Sequence, residues 1–197
     1  DGQIIECDGF PGSVGSICHV TGPSGTIIDA EIIGFKNGRN VAFLFDQNAD
    51  IEVGALVCVA NNGRDVQVGE SLLGRVIDAH GQPFDGLGSL HLTETWPLYG
   101  KSVNPLDRAP ITQPLDVGVR SVNSLLTIGK GQRVGIVAGS GVGKSVLLAM
   151  MTRFCKADVI VVGLIGERGR EVGAFVEQAM TGAARKKICV VAVPADR

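Results

Sequence analysis

Arg133-Val-Gly-Ile-Val-Ala138-Gly139-Ser140-Gly141-Val142-Gly143-Lys144-Ser145 is the stretch whose reading decides the fold. Residues 134–138 form a short apolar run bounded by a glycine turn, which predicts a buried strand. Residues 145–151, Ser-Val-Leu-Leu-Ala-Met-Met, predict the first turns of a buried helix. A strand, a glycine-rich turn ending in Gly-Lys-Ser and a helix together make the context of a phosphate-binding P-loop. The physics is direct. A helix start leaves backbone N–H groups unpaired and carries a partial positive charge, and a polyphosphate brings negative oxygens to it. Gly139, Gly141 and Gly143 let the backbone curl around those oxygens without Cβ clashes.

The candidate nucleotide-binding residues are therefore Gly139, Ser140, Gly141, Val142, Gly143, Lys144, Ser145 and Val146. Lys144 is expected to reach the β and γ phosphates, and the Ser145 hydroxyl to ligate Mg²⁺. The implied cofactors are ATP and Mg²⁺. One position departs from GxxxxGK[ST]: its first glycine is Ala138. That slot closes the strand, where a small residue suffices.

Composition narrows the class. The chain has 197 residues, 45% hydrophobic and 19% charged, which fits one or two globular domains. Its 28 glycines, about twice the usual share, are spread through the chain and predict many tight turns. The net charge of −2 gives no electrostatic footprint for nucleic acid. Five cysteines without a CxxC read as free thiols in a reducing cytoplasm rather than as zinc ligands or disulfides. No stretch approaches the roughly 20 apolar residues that cross a membrane. The start lacks a Met, and the end follows directly on an apolar run, so the chain reads as cut at both ends.

Residues 1–73 carry short strand-like runs at 3–6, 14–20, 26–33, 40–45 and 55–59. Turn signals separate them, among them Gly22-Pro-Ser-Gly25, Asn37-Gly38 and Asn61-Asn-Gly63. Asn-Gly between apolar runs is a hairpin cue, and several short strands at even spacing suggest a small β-barrel. His19 reads as a structural histidine. Residues 74–107 are turn-rich with recurring apolar residues, an ordered connection that wraps the domains. His80 and His91 have no metal-ligand partners at suitable spacing. From residue 108 onward strands alternate with helices: the P-loop strand, a helix over 144–154, an apolar run at 159–165, an amphipathic helix over 172–184 with Val172, Phe175, Val176 and Met180 on one face, and a third apolar run at 188–193. That pattern implies a largely parallel, covered sheet with its ligand at the carboxyl ends of the strands. The expected fold class is mixed β and α/β: a barrel followed by a truncated P-loop core.

Gly166-Glu167-Arg168 falls at such a strand end. Phosphoanhydride hydrolysis needs an in-line water and charge stabilisation at the γ phosphate. A carboxylate orients that water and accepts its proton, and a cation beside it holds the carboxylate or touches phosphate. Taken alone, the loop is also compatible with a solvated charged turn.

Gly129-Lys-Gly-Gln-Arg133, residues 138–145, residues 158–165 and Gly166-Glu-Arg-Gly-Arg-Glu-Val172 together resemble the flagellar and type III secretion export ATPases, relatives of the catalytic subunits of rotary ATP synthases. Upstream, Leu73-Gly-Arg-Val-Ile-Asp78, Gly81-Gln-Pro-Phe-Asp85, Asn104-Pro-Leu-Asp-Arg108 and Pro114-Leu-Asp-Val-Gly-Val-Arg120 match as well. The resemblance covers essentially all of the chain. It implies a RecA-like ATPase core and a cytoplasmic ring of six, peripheral to the inner membrane at the base of an export apparatus. The implied partners are stator and stalk proteins and chaperone–substrate complexes, with ATP hydrolysis releasing chaperones and driving export. Residues 1–73 would support ring assembly. By motif match Glu167 is the catalytic glutamate, and Arg168 and Lys144 complete the catalytic set. Arg170 and Glu171 are expected to orient the loop or the next helix start.

Asn123 stands where relatives often carry an acid. Pro194-Ala-Asp196 only superficially imitates the strand that ends in a Mg²⁺-coordinating Asp, so Asp196 is not assigned to metal. The adenine pocket, arginine finger and C-terminal helical domain of the family have no counterpart here, so this chain alone is expected to hydrolyse ATP weakly or not at all. Two other readings stand beside export: a nucleotide-binding, non-hydrolysing ring subunit, which Glu167 disfavours, and a rotary synthase subunit or RNA-translocating motor. Gly-Glu-Arg-Gly-Arg-Glu-Val, in place of the synthase's Gly-Glu-Arg-Thr-Arg-Glu-Gly, favours export. The absence of a basic, aromatic face disfavours RNA.

Overall fold

The computed structural model describes residues 3–46, 48–100, 102–139 and 141–195. The chain divides into two compact units, residues 1–66 with 96–100, and residues 67–95 with 101–197.

The first unit is a five-stranded antiparallel sheet of β1 (Ile4–Cys7), β2 (Ile17–Thr21), β3 (Ile27–Lys36), β4 (Arg39–Leu44) and β5 (Leu56–Asn61), in the order β1-β4-β3-β2-β5. The Asn-Gly cue is borne out: β3 and β4 join through Asn37 (φ 51°) and Gly38 (φ 77°), and Lys36 pairs with Arg39. Two left-handed residues in succession match the twist of the flanking strands. Side chains alternate across the sheet as the pleat requires. Val20 pairs with Ile28 and Cys18 with Ala30, all four buried, while their neighbours His19 and Asp29 face outward and meet at 3.3 Å. The lone histidine thus has a cross-strand carboxylate partner. Buried Asn40 donates from Nδ2 to the Phe10 carbonyl at 3.0 Å.

The expected barrel is an open sheet. β1 pairs only with β4 and β5 only with β2, so among the described residues no ladder joins the two edges. Closure needs that ladder. Ala49, Ile51, Ala55 and Val57 pack instead against the core formed by Val20, Ile28, Ala30, Ala42 and Leu44.

In the second unit, β7 (Val76–Ile77), β10 (Ile188–Val193) and β9 (Ile160–Ile165) form a parallel sheet with β10 in the centre. β7 lies inside the stretch expected to be a connection. It is held by a half-buried ion pair: Arg75 Nε and Nη2 donate to the Asp85 carboxylate at 2.8 and 2.9 Å. The same carboxylate accepts the Val76 and Leu87 N–H groups. The guanidinium holds the Asp85 carboxyl well below the usual carboxylate range, aided by those two amides and opposed by burial. β6 (Asp65–Val68) and β8 (Glu94–Pro97), a two-stranded ribbon, lie where the chain passes between the two units and belong wholly to neither.

Three helices belong to the second unit: α1 (Arg120–Leu125), α2 (Lys144–Phe154) and α3 (Gly169–Ala179). α3 buries Val172, Phe175 and Ala179, a stripe at helical spacing, and Met180 just beyond it is buried as well. These residues pack with Val162, Leu164, Ile188 and Val190 of the sheet and Ala149 of α2.

Two expectations fail here. Residues 134–138 are not a strand. They join no ladder, and Val137 is 98% exposed. A strand in a parallel sheet needs a neighbour for its N–H and C=O groups, and among the described residues none lies beside this run. The sheet is also covered on one face rather than two along β9: Val162 and Leu164 are buried while Val161 and Ile165 are exposed. No helix among the described residues is long and apolar enough to cross a membrane.

Candidate active site

Two glycines set the start of α2. Gly141 (φ 77°) and Gly143 (φ 96°, the N-cap) are left-handed, a conformation that strains any side chain. A Cβ built on Gly139, Gly141 or Gly143 would meet no protein atom within 4 Å, so their backbone faces open space. The cap supplies no side-chain oxygen to the first-turn amides. They are therefore open to an outside acceptor. Val142 and Val146 are exposed and offer backbone only. Ser140 lies outside the described residues, as does Asp196.

At the end of β9, Gly166 (φ 72°) turns the chain. Its N–H donates to the Val193 carbonyl at 2.8 Å, and the Ala195 N–H donates to the Glu167 carbonyl at 3.0 Å. The backbone beneath Glu167 is thus tied to the end of β10 on both sides. Arg168 is the N-cap of α3, and its carbonyl accepts the Glu171 and Val172 N–H groups.

These two ends meet at one cavity of about 310 Å³. Lys144 and Ser145 enter it from α2, Glu167 from the loop after β9, and Glu171 from the first turn of α3. Leu148, Leu164 and Phe175 give it an apolar floor, with Val134 and Ile136 beside them. The structure thus brings Lys144, Ser145 and Glu167 together. Arg168 is exposed and does not line the cavity. Glu171, expected only to orient the loop, lines the same cavity as Glu167. Its spacing from Glu167 was the available signal, because residues four apart around a helix start share a face. Phe175, four further on, continues that face.

The donor set fits a magnesium nucleotide. The helix start and Lys144 match phosphate charge. Among the described residues no group of three or more His, Cys, Asp or Glu is arranged to hold a metal unaided. Mg²⁺ seldom needs one, since it takes one or two protein oxygens and fills its shell from phosphates and water. The Ser145 hydroxyl would supply such an oxygen, and the Glu167 and Glu171 carboxylates, which line the same cavity, would accept from metal-bound water.

Known proteins resemble the chain that carries this site. Residues 118–197 match the nucleotide-binding domain of the ATP synthase alpha/beta family. The flagellum-specific ATP synthase of Pseudomonas aeruginosa is 46% identical over 99% of the chain, and that of Salmonella typhimurium is 44% identical over 99%. The chain is similar to the flagellar and type III secretion export ATPases. It also superposes along its full length, with a TM-score of 0.90 and 36% identity, on the assembled ATPase EscN solved with its central stalk EscO from the type III secretion system of enteropathogenic E. coli. The chain spans 44% and 45% of the two flagellar relatives and 48% of the EscN chain.

Proposed function

We propose that this chain carries the phosphate-binding and water-orienting residues of a Mg²⁺-dependent ATPase that powers protein export through a flagellar or type III secretion apparatus. The observation that carries the reading is the convergence of Lys144 and Ser145, at an uncapped and glycine-turned helix start, with Glu167 in one cavity. In this reading the amides of residues 139–146 and Lys144 bind the β and γ phosphates of ATP. Mg²⁺, held by the Ser145 hydroxyl, neutralises phosphate charge. Glu167 orients a water whose oxygen bonds to the γ phosphorus as the bond to the bridging oxygen of ADP breaks. The water's proton passes to the Glu167 carboxylate. Arg168 acts from outside the cavity, as a cation beside the Glu167 loop.

The likeness to EscN supports a RecA-like core for residues 108–197 and a ring in the full-length protein, six subunits in our reading. Residues 1–73 then serve ring assembly, a stalk engages the ring, and stator proteins and chaperone–substrate complexes are further partners. The ring works in the cytoplasm against the inner membrane.

The test uses full-length protein. Glu167→Gln is expected to keep Mg·ATP affinity and lose turnover by a factor of about 10² or more, since general-base removal costs about that much. Lys144→Ala is expected to lose nucleotide binding. Wild-type turnover in Glu167→Gln would remove Glu167 from the mechanism, and undiminished binding in Lys144→Ala would remove the P-loop reading itself.

A further inference from the structure

α2 carries Lys144 and Ser145 at its first turn and packs on the core through Ala149 and the half-buried Leu148. Its buried residues, Ala149 and Thr152, are both small. Val146, Met150 and Phe154 are exposed. A polar anchor holds its far end. The Lys187 ammonium donates to the Cys155 carbonyl at 2.6 Å and to the Ala157 carbonyl at 3.2 Å. A cation at a helix C-terminus also complements the negative end of the helix dipole. Beside it, the Lys156 N–H donates to the Asp116 carbonyl at 2.9 Å.

Lys187 stands immediately before β10, whose other end holds the glutamate loop through the Val193 carbonyl and the Ala195 N–H. β10 therefore grips the tail of α2 at one end and the base of Glu167 at the other. The lengths agree: eleven residues of α2 span roughly 16 Å and six of β10 roughly 20 Å. The head of α2 and Glu167 consequently reach the same cavity.

We infer that Lys187 is a positioning residue: by anchoring the tail of α2 to β10 it sets the separation between the phosphate-binding start of α2 and Glu167. The inference rests on the ATPase reading above. It separates two effects. Lys144 and Ser145 move with α2 as a body, so phosphate binding survives a loosened tail. The relation between bound phosphate and Glu167 does not.

The experiment is steady-state ATPase kinetics and fluorescent-ATP titration of full-length Lys187→Met, Lys187→Arg and Lys186→Met, at a temperature well below unfolding. Lys187→Met is expected to lower kcat about tenfold while nucleotide Kd changes less than about threefold, because misplacement of catalytic groups by an ångström costs rate steeply. Lys187→Arg, which keeps the charge and its donors, is expected to restore kcat to within about twofold. Lys186→Met, at an exposed neighbour, is expected to leave both unchanged. If Lys187→Met does not fold, Lys187→Gln, which keeps an N–H donor but is shorter and carries no charge, has the same expectation. A kcat within twofold of wild type in a folded Lys187→Met or Lys187→Gln protein overturns the inference alone. Wild-type protein that neither binds nor hydrolyses Mg·ATP overturns the ATPase reading and this inference with it.

Discussion

Replacing Gly118 by alanine tests how the end of α2 is held. Gly118 has φ +75°, and a Cβ there would stand against Phe154, touching its Cβ and its backbone carbonyl. Neither can turn aside, because the Phe154 Cβ and carbonyl are both fixed by the helix backbone. Two costs follow. A left-handed alanine is strained by about 1–2 kcal/mol. Overpacking against backbone adds about 1–3 kcal/mol. The expected loss is therefore about 2–5 kcal/mol. Gly131 separates the terms, because it is equally left-handed at φ +89° yet has nothing within 4 Å of a built Cβ. Gly131→Ala should show the strain alone, about 1–2 kcal/mol. Urea denaturation of the two variants and the parent gives both numbers, provided the slope with denaturant is unchanged. If Gly118→Ala loses no more than Gly131→Ala, the close approach to Phe154 is not a packing constraint and the reasoning fails.

Three further predictions concern charged groups. Glu171→Gln in the full-length protein should lower Mg²⁺-dependent turnover by about tenfold or more while nucleotide still binds, as loss of a polar group at the reacting centre would; unchanged kcat would return Glu171 to a purely local role. Arg75→Met should destabilise the chain by leaving the Asp85 carboxylate buried without its cation. Because the folded pKa of Asp85 is depressed, the pair's contribution is fully present above the ordinary value of 3.8 and is lost as pH falls through the folded value. Denaturation should therefore show a constant gap between variant and parent from pH 8 to pH 5 that narrows only in stronger acid, and a gap that closes by pH 5 would contradict the geometry. Asn123→Asp would set a second carboxylate against Asp116, whose Oδ1 now accepts the Asn123 amide at 2.6 Å. Mutual repulsion raises the folded pKa of one member, so stability should be regained as pH falls and lost as it rises; a flat stability difference between pH 4 and 7 would show that the two side chains swing apart.

Local signals in this sequence carried well. Asn37-Gly38 predicted its hairpin because both residues tolerate left-handed backbone, a property that needs no distant partner. The helix over 144–154 matches α2 because a glycine N-cap and an apolar stripe are both local. The amphipathic stripe of α3 held too, though its helix ends at Ala179 rather than near residue 184, with the rest a tighter turn over Gly182–Lys187. Asn123, which stands where relatives often carry an acid, does not line the cavity. Its amide instead ties Asp116 to the Val117 N–H, a role visible only once the turn is folded.

The misreadings share a different cause. Whether five strands close into a barrel depends on a ladder between β1 and β5, residues that lie some fifty positions apart, and nothing in either strand's own sequence encodes that pairing. The run at 134–138 shows the same limit more sharply. Its composition is that of β10, apolar and β-branched, yet β10 is flanked on both edges and largely buried whereas 134–138 pairs with no strand among the described residues and is exposed. Hydrophobicity reports that a segment gains by burial, at about 25 cal/mol per Å² of apolar surface. It does not say which strand will supply the hydrogen bonds that make burial possible. The site escaped this problem because its determinants are turns. Gly141 and Gly143 fix where the chain enters α2 and Gly166 where it leaves β9, so the positions of Lys144, Ser145 and Glu167 at element ends were legible locally.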